Sequence, residues 1–251
     1  MPNHIMRRTF NVNFIQVDAG YYDKDIRELF IPLLKTLTEM QRRLNRRFLL
    51  FLAAPPGAGK TTFSLFLAHL SDITDGITKI QPLGIDGFHF HAEYIKNNTI
   101  NVNGVNLPMA GFKGCPETYD LGKLKDKLQL MQKCNVKWPM YDRRLHDVVE
   151  ESIEVDAEIV LIEGNWLLLD EPGWKELKGY CDYSIFLHAN EEMLEGRLIR
   201  RKIQGGLNPR EAREFYDRSD RLNVRRTLCN RLESDLELRL LENGAFVKAK
   251  Y

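Results

Sequence analysis

The sequence predicts an α/β fold in which a mainly parallel sheet carries helices on both faces. Short apolar runs of strand length alternate along the chain with segments whose apolar residues recur at helical spacing. Alternating strands and helices are typical of a parallel sheet, because the connecting helices cover both of its faces. The predicted strands of the sheet cover residues 48–53, 79–85, 158–163, 183–187 and 245–247.

A glycine-rich segment, residues 54–62, joins the first of these strands to an apolar helical pattern. It reads Ala-Pro-Pro-Gly-Ala-Gly-Lys-Thr-Thr, and its small residues let backbone N–H groups close around the β- and γ-phosphates of a nucleotide. Lys60 is expected to reach the same phosphates, and the Thr61 hydroxyl to bind Mg²⁺. The first glycine of the usual motif is Ala54 here, which ordinary strand or turn dihedral angles accommodate. We therefore predict a phosphate-binding loop (P-loop) with nucleotide contacts from Pro56, Gly57, Ala58, Gly59, Lys60, Thr61 and Thr62.

An N-terminal extension, residues 1–47, precedes this region. A short strand is predicted by three apolar residues that alternate with asparagine, namely Phe10, Val12 and Phe14. Residues 23–43 carry apolar side chains at helical spacing and predict an amphipathic helix. The chain contains no internal repeat, low-complexity tract or linker, so we expect one domain over residues 1–251.

The second half of the chain continues the alternation after one irregular segment. Residues 97–114 are rich in Asn, Gly and Pro and lack periodicity, so we expect a long functional loop there. Asp120 is well placed as the N-cap of the next helix. Two later helices are predicted over residues 190–203 and 209–240, before the final strand.

The composition narrows the class of protein. A chain of 251 residues with 43% hydrophobic content can bury a full core. Its 36 basic and 35 acidic residues are nearly balanced, which argues against a nucleic-acid footprint or a polybasic membrane anchor. The four cysteines are scattered without a Cys-x-x-Cys pair, and no run reaches 18 apolar residues. We therefore expect a cytoplasmic protein whose partner is a small molecule, with neither nucleic acid nor a membrane involved.

Two acidic residues end predicted strands at the edge of the sheet where ligands of parallel sheets bind. Asp86 ends strand 79–85, where its carboxylate could accept the proton of an acceptor hydroxyl during γ-phosphoryl transfer. Glu163 ends strand 158–163 and could hold Mg²⁺ directly or through water. Each could instead be a polar residue that ends a strand and caps a turn. Their common position beside the P-loop favours the catalytic interpretation.

Four further segments, together with the P-loop, resemble the phosphoribulokinase, uridine kinase and pantothenate kinase superfamily. Residues 86–89 (Asp-Gly-Phe-His) resemble its strand-end Asp-x-Phe segment, and residues 114–120 (Gly-Cys-Pro-Glu-Thr-Tyr-Asp) its Pro-(Glu/Asp)-x-(Phe/Tyr)-Asp helix entry. Residues 139–146 (Pro-Met-Tyr-Asp-Arg-Arg-Leu-His) are similar to the Pro-x-Tyr-Asp-x-x-x-His segment of uridine kinases. Residues 162–164 (Ile-Glu-Gly) match the family's strand-ending Glu-Gly.

The resemblance implies a P-loop NTPase fold and ATP-dependent phosphorylation of a hydroxyl group on a small molecule. Asp86 is then the base and Glu163 lies at the metal. The resemblance further implies that three side chains approach the acceptor, those of Tyr141, Arg143 and His146.

The histidines and Tyr141 leave alternatives open. His89 and His91 face opposite ways if their segment is extended, and we expect His89 to point at the site. Tyr141 and His146 could equally pack at the sheet edge and satisfy buried polar groups. A zinc site formed by His89, His91 and His146 is a further alternative, although a kinase that uses Mg²⁺ explains the same residues better.

The helix predicted to start at Asn190 carries an arginine face. At about 100° per residue, three arginines span about 100° of arc, namely Arg197, Arg200 and Arg201. Such a face suits a lid, over residues 190–225, that closes on the phosphates and neutralises the γ-phosphoryl oxygens. We expect Arg197 and Arg201 to contact phosphate and leave Arg200 open. The alternative is a solvated face balanced by nearby glutamates.

The identity of the acceptor is the least determined part of the prediction. Residues 206–213 resemble a bacterial branch of the superfamily that includes sugar kinases, which favours a sugar or sugar acid over a nucleoside or pantothenate. A P-loop ATPase or a nucleotide-binding regulator without an acceptor is the alternative from a different class. A homodimer is compatible with the resemblance.

Overall fold

The computed structural model describes residues 4–12, 15–44, 46–102 and 104–249. Phe14, part of the first predicted strand, lies outside these residues. The strands are β1 (Ile5–Val12), β2 (Ile15–Tyr22), β3 (Phe48–Ala53), β4 (Ile80–Gly84), β5 (Thr99–Val102), β6 (Val105–Pro108), β7 (Val136–Asp142), β8 (Asp147–Val155), β9 (Ile159–Gly164), β10 (Tyr183–His188), β11 (Leu236–Leu240) and β12 (Phe246–Lys248). The α-helices are α1 (Asp23–Asp25), α2 (Ile31–Arg43), α3 (Lys60–Ile73), α4 (Ala92–Asn97), α5 (Leu121–Met131), α6 (Glu191–Gln204), α7 (Pro209–Phe215) and α8 (Arg221–Cys229).

A six-stranded sheet with the order β12-β11-β10-β3-β9-β4 forms the centre of the molecule. The last five strands in this order, β11 to β4, pair in parallel, and β12 is antiparallel at one edge. The predicted α/β fold with a mainly parallel sheet is therefore confirmed. All six residues of β3 and all six of β9 are buried, as continuous apolar strands at the centre of such a sheet should be.

Helices cover both faces of this sheet, because successive side chains of a strand point to opposite sides. Leu50 and Leu52 of β3 join a core with helices α2, α3 and α6. Leu49 and Phe51 point to the other face and join a core with α5 and Trp138 of β7. The central strand thus contributes to two apolar cores of similar composition.

The N-terminal extension forms an antiparallel hairpin, β1 and β2, rather than the single short strand predicted. The predicted helix over 23–43 is present, but a π-helical turn, Ile26–Phe30, separates α1 from α2. In this turn the Ile31 N–H bonds to the Ile26 carbonyl, five residues back. The switch from π-helical to α-helical hydrogen bonding falls next to Pro32. Proline has no N–H donor, and its ring crowds the preceding turn.

Two sequence predictions of secondary structure were wrong, and one hairpin was missed. The segment 97–114 is not structureless, because β5 and β6 pair within it as a hairpin. The helix predicted over 209–240 ends at Cys229, and Leu236–Leu240 instead forms β11, which pairs in parallel with β10. The alternation Leu-Glu-Leu-Arg-Leu has the period of a strand, a signal that the helical assignment overlooked. The hairpin of β7 and β8 was not predicted at all.

The boundaries of the other helices and strands agree with those predicted from the sequence within one or two residues. Asp120 caps α5, since its side chain accepts a hydrogen bond of 3.0 Å from the Lys123 N–H. The helix predicted over 190–203 is α6, Glu191–Gln204, with Asn190 as its N-cap.

Candidate active site

The P-loop connects β3 to α3 at the centre of the sheet. Gly57 and Gly59 have φ angles of +83° and +91°, which side-chain-bearing residues rarely adopt. A Cβ on Gly57 would also lie 3.0 Å from the Leu198 side chain of α6. Backbone conformation and close packing therefore both require glycine at position 57. The N-terminus of α3 follows directly at Lys60, so the loop can present N–H groups and a positive helix end to an anion.

Glu163 faces the first residues of α3 from the neighbouring strand β9. The register pairs Leu52 of β3 with Glu163, which places the carboxylate beside the loop that leaves β3. Its Oε1 accepts a hydrogen bond of 2.7 Å from the Thr61 hydroxyl, and its Oε2 lies 3.9 Å from Lys60 Nζ. Burial raises the pKa of Glu163, and the nearby Lys60 ammonium only partly offsets this effect.

The oxygens of Thr61 and Glu163 fit a divalent cation. Two neighbouring ligands of an octahedral Mg²⁺ lie about 2.9 Å apart at ordinary Mg–O distances. The two side-chain oxygens are 2.7 Å apart here, so little movement separates their hydrogen bond from shared coordination. A hydroxyl, one carboxylate and the oxygens of a bound triphosphate form the hard oxygen ligand set that Mg²⁺ prefers.

Asp86 lies on the other side of Glu163, in a 3-10 turn, Ile85–Phe88, that follows β4. The adjoining Gly87 packs so tightly against β7 that a Cβ there would overlap the Pro139 carbonyl. The Asp86 carboxylate accepts a hydrogen bond of 3.1 Å from the Tyr119 hydroxyl. Asp86 is exposed to solvent, and although the surrounding cleft partly desolvates its charge, the interactions with His89, Lys60 and the Tyr119 hydroxyl together lower the pKa of Asp86.

The rings of Tyr119, His89 and Tyr141 form an aromatic wall that extends from Asp86 towards the β7–β8 hairpin. The His89 ring stacks on Tyr119, with centroids 3.8 Å apart, and meets the Tyr141 ring edge-on at 5.9 Å. His89 Nδ1 lies 3.1 Å from both the carbonyl and the hydroxyl oxygen of Thr118. Burial lowers the pKa of His89, and the opposing effect of Asp86 is smaller.

The β7–β8 hairpin brings two of its three predicted acceptor residues to this wall. Tyr141 is half-buried, and its hydroxyl accepts a hydrogen bond of 2.7 Å from Lys113. Arg143 is close enough to act electrostatically on Asp86 and Glu163. The His146 side chain is exposed, and its backbone carbonyl makes the local contact, accepting a hydrogen bond of 3.1 Å from Lys113.

The arginine face of α6 covers the opposite side of the P-loop. Arg197 Nη1 lies 3.4 Å from the Gly57 carbonyl and borders a cavity of about 470 Å³ together with Arg200. Arg201 acts electrostatically on Asp220, Arg143 and Asp86. Its side chain is accessible to solvent, but the surrounding cleft desolvates it and lowers its pKa. The helix α6 thus carries Arg197 at the P-loop and Arg201 within electrostatic reach of Asp86.

Three residues at this site were missed by the sequence analysis. Tyr119 and Lys113 contact residues that had been singled out, and Tyr119 lies inside the quoted segment 114–120. The third is Tyr21 of the N-terminal hairpin, whose hydroxyl interacts with the Thr62 side chain of the P-loop. No local pattern marks Lys113 or Tyr21, because both reach the site from elements that are distant in sequence.

Two further findings concern a possible zinc site and membrane-crossing helices. Within the described ranges, no three His, Cys, Asp or Glu side chains lie together as a metal-binding cluster, so His89, His91 and His146 are not gathered into one. Over the same part of the chain, no helix is both long and apolar enough to cross a membrane.

Comparison with known proteins decides the family. Residues 49–210 match the profile of the "Phosphoribulokinase / Uridine kinase family". The chain belongs to this family. Its phosphoribulokinase/uridine kinase profile begins in β3 and ends in α7, and it therefore includes the P-loop, Asp86, Glu163 and the arginine face. The N-terminal hairpin that carries Tyr21 lies outside the match.

Individual relatives of this phosphoribulokinase/uridine kinase family member agree with the assignment. The "Uncharacterized protein YggC" of Escherichia coli (strain K12) is 39% identical over 96% of this chain and 98% of its own length. The "Putative uridine kinase C227.14" of Schizosaccharomyces pombe is 28% identical over 90% of this chain and 95% of its own. A solved structure of a "putative fructose transport system kinase" from Silicibacter sp. TM1040 superposes with a TM-score of 0.71 at 30% identity, over 81% of this chain and 98% of that one. The protein is thus a P-loop kinase of the phosphoribulokinase/uridine kinase type, and the family implies ATP as phosphoryl donor and typically Mg²⁺.

Proposed function

We propose that this kinase transfers the γ-phosphoryl group of ATP to a hydroxyl group of a small metabolite, a sugar or sugar acid. The observation that carries the proposal is the presence of two carboxylates with different partners beside one P-loop. Glu163 contacts Thr61 and Lys60, whereas Asp86 contacts Tyr119 and faces the aromatic wall. One carboxylate is placed for the metal and the other for an acceptor.

The P-loop and Lys60 are placed to bind the triphosphate, since they offer backbone N–H groups and one ammonium at the start of α3. Thr61 and Glu163 would hold Mg²⁺, which when bound neutralises charge on the phosphate oxygens. Arg197 and Arg201 add positive charge on the remaining side of the phosphates. Closure of α6 over the loop excludes water, which would otherwise compete as an acceptor.

Asp86 orients the acceptor hydroxyl and takes its proton. The hydroxyl oxygen attacks the γ-phosphorus in line, the bond from that phosphorus to the β–γ bridging oxygen breaks, and ADP leaves. The proton passes to Asp86, whose orientation the Tyr119 hydroxyl holds. The lowered pKa of Asp86 suits this task, because a loose transition state needs a well-placed acceptor for a late proton more than a strong base.

The proposal is tested by measuring acceptor-dependent ADP formation with Mg²⁺ and ATP. A suitable panel contains fructose and related sugars, glycerate, ribulose 5-phosphate, pantothenate, uridine and cytidine. We expect one acceptor class to release ADP and form a phosphorylated product, and Asp86→Asn and Lys60→Ala to reduce turnover by about 100- to 10,000-fold while the fold persists. Near-normal turnover of Asp86→Asn would exclude Asp86 as the base. ADP release without any acceptor would identify an ATPase instead.

A nucleoside acceptor is the second candidate. It is favoured by the β7–β8 hairpin, whose segment 139–146 resembles that of uridine kinases, and by the printed name of the Schizosaccharomyces pombe relative. Uridine and cytidine in the panel decide between the two classes directly.

A further inference from the structure

The acceptor side of the cleft contains two cations that the nucleotide does not need. Lys60 and Arg197 lie at the P-loop and Arg201 acts on Asp86 from α6, so these three cations are available to the charge of a triphosphate. Lys113 contacts Tyr141, and Arg143 follows Tyr141 in the turn of the same hairpin and acts on Asp86. The question is what these two side chains neutralise.

Lys113 is half-buried, and its hydrogen-bond partners in the described part of the chain are uncharged. Its ammonium donates to the Tyr141 hydroxyl at 2.7 Å and to the His146 carbonyl at 3.1 Å. It also lies 4.6 Å from the centroid of the Tyr141 ring. A partly desolvated ammonium held by neutral groups retains most of its charge for an anion that arrives from solvent.

Arg143 projects from a turn whose shape is set by Asp142. The buried Asp142 carboxylate accepts hydrogen bonds from the Arg144 and Leu145 backbone N–H groups, at 2.7 and 3.3 Å. Arg143 itself is half-buried and forms no ion pair within the described residues, although it acts on Asp86 and Arg201 from a distance. Its position is therefore specified by the fold, while its guanidinium has no close carboxylate partner there.

A continuous line of contacts joins these cations to the reacting end of the site. Asp86 bonds to Tyr119, Tyr119 stacks on His89, and His89 meets Tyr141, whose hydroxyl bonds to Lys113. A small molecule with one hydroxyl at Asp86 can therefore lie along the aromatic wall with its other end near Lys113, beside the hairpin whose turn carries Arg143.

We propose that the acceptor carries an anionic group, a carboxylate or a phosphate, which Lys113 and Arg143 bind on the Asp86 side of the cleft. This inference rests on the proposed function and narrows its acceptor to a sugar acid or a sugar phosphate. A forked guanidinium and a point-charge ammonium together suit either anion. Lys113 is then a specificity-determining residue, and its contacts with the hairpin orient it.

The first test compares matched pairs of acceptors that differ by one anionic group. Suitable pairs are glycerate with glycerol, gluconate with sorbitol, pantothenate with its alcohol, and fructose 6-phosphate with fructose. We expect kcat/KM to favour the anionic member of the reactive pair by at least about tenfold, since a charged hydrogen bond is worth about one to two powers of ten in affinity. The pair that reacts also distinguishes a carboxylate from a phosphate.

Variants separate recognition from a structural role of the two cations. Lys113→Gln keeps a donor for the Tyr141 and His146 oxygens, and Arg143→Gln keeps the turn set by Asp142. Each should lower kcat/KM for the anionic acceptor by about 10- to 100-fold and for its neutral partner by less than about threefold. Lys137→Gln, an exposed lysine on the same hairpin, is the matched control and should change neither value. Equal use of both members, or an equal loss with both, overturns the inference and leaves the kinase assignment intact.

If no member of the panel is phosphorylated, that outcome counts against the proposed function itself. A binding measurement then tests separately whether Lys113 and Arg143 bind an anion. The protein is saturated with a non-hydrolysable ATP analogue and Mg²⁺, so that the P-loop is occupied, and is then titrated with malonate or inorganic phosphate. We expect Tm to rise with one of the two anions in the native protein and in Lys137→Gln, but not in Lys113→Gln or Arg143→Gln. No rise with either anion overturns the inference.

Discussion

Glu163 and Asp86 occupy neighbouring positions at one edge of the sheet, and their pKa values move in opposite directions. Burial dominates at Glu163 and raises its pKa, whereas at the exposed Asp86 the interactions with His89, Lys60 and the Tyr119 hydroxyl outweigh desolvation by the cleft and lower its pKa. Both carboxylates interact with Lys60, and the negative charge of Asp86 raises the pKa of Glu163 further. Without its ligands, this site stores an unfavourable buried charge at Glu163.

Glu163→Gln should therefore reduce activity and yet stabilise the free protein above neutral pH. The amide keeps a partner for Thr61 but removes the buried charge, so we expect turnover to fall by about 10- to 100-fold or more and Tm at pH 8 to rise. A raised pKa in the folded state means that the native protein loses stability as the pH rises through that pKa. The Tm advantage of the variant should thus shrink as the pH falls towards 4.5 and Glu163 becomes protonated. A constant difference across this pH range would contradict the burial argument.

At the scale of elements, the proposed acceptor side is assembled from short segments rather than from the sheet. The 3-10 turn Pro116–Thr118, the β7–β8 hairpin and the residues after β9 meet around Asp86 and Trp166. Arg226 of α8 holds two of these segments together. It donates to Glu117 at 2.7 and 3.1 Å and to Glu171 at 2.8 Å. Such forked pairs depend on guanidinium geometry, which lysine does not reproduce.

Arg226→Gln should destabilise the fold and disturb the acceptor site together. Its loss leaves two facing carboxylates without their shared cation, which we expect to cost about 1–2 kcal/mol of unfolding free energy and about 3–6 °C in Tm. Glu117 immediately precedes Thr118 and Tyr119, so KM for the acceptor should rise more than KM for ATP. Thermal unfolding and steady-state kinetics measure both effects.

Arg225→Gln is the matched control for this experiment. Arg225 is mostly exposed and pairs at 3.3 Å with Glu191, an arrangement worth well under about 1 kcal/mol. A similar loss of Tm in both variants would mean that the α8 helix, and not the Arg226 contacts, is responsible.

At the scale of the whole molecule, the two ends of the chain meet beside the P-loop. The Phe246 N–H of β12 donates to the buried Asp25 carboxylate at 2.8 Å, which ties the N-terminal extension to the last strand. Tyr21 stacks on Phe66 of α3 with centroids 3.9 Å apart and belongs to the same aromatic core as Phe246. The extension lies outside the family match, yet through the Tyr21 hydroxyl it contacts Thr62 of the P-loop.

Tyr21→Phe should weaken nucleotide binding without unfolding the protein. The ring stacking is retained, and only the hydroxyl that interacts with Thr62 is lost, so we expect KM for ATP to rise about two- to tenfold. Tyr22→Phe, whose hydroxyl bonds instead to the Asn243 carbonyl at 2.9 Å, is the matched control. Unchanged KM for ATP in Tyr21→Phe would show that the extension only packs against α3.

The parts of the site that could be predicted from the sequence are those encoded over short distances. The P-loop, the strand-end positions of Asp86 and Glu163 and the Asp120 cap each depend on a few consecutive residues, because dihedral preference, burial and capping act locally. Lys113, Tyr21 and Arg226 could not be placed in this way. Their contacts join residues 28 to 109 positions apart or separate elements, and a single sequence does not show which distant segments pack together.

The sequence by itself determined a parallel α/β kinase core, since apolar strands buried on both faces and a glycine-rich turn before a helix follow from local physics. Tertiary structure decided what surrounds that core. Residues 236–240, whose alternation already has the period of a strand, became β11 because β10 offered a parallel edge beside them. Lys113 reached Tyr141 only because the segment before α5 folds back on the β7–β8 hairpin. The residues predicted to bind phosphate thus lie in one short segment, whereas the proposed choice of acceptor depends on packing between distant segments.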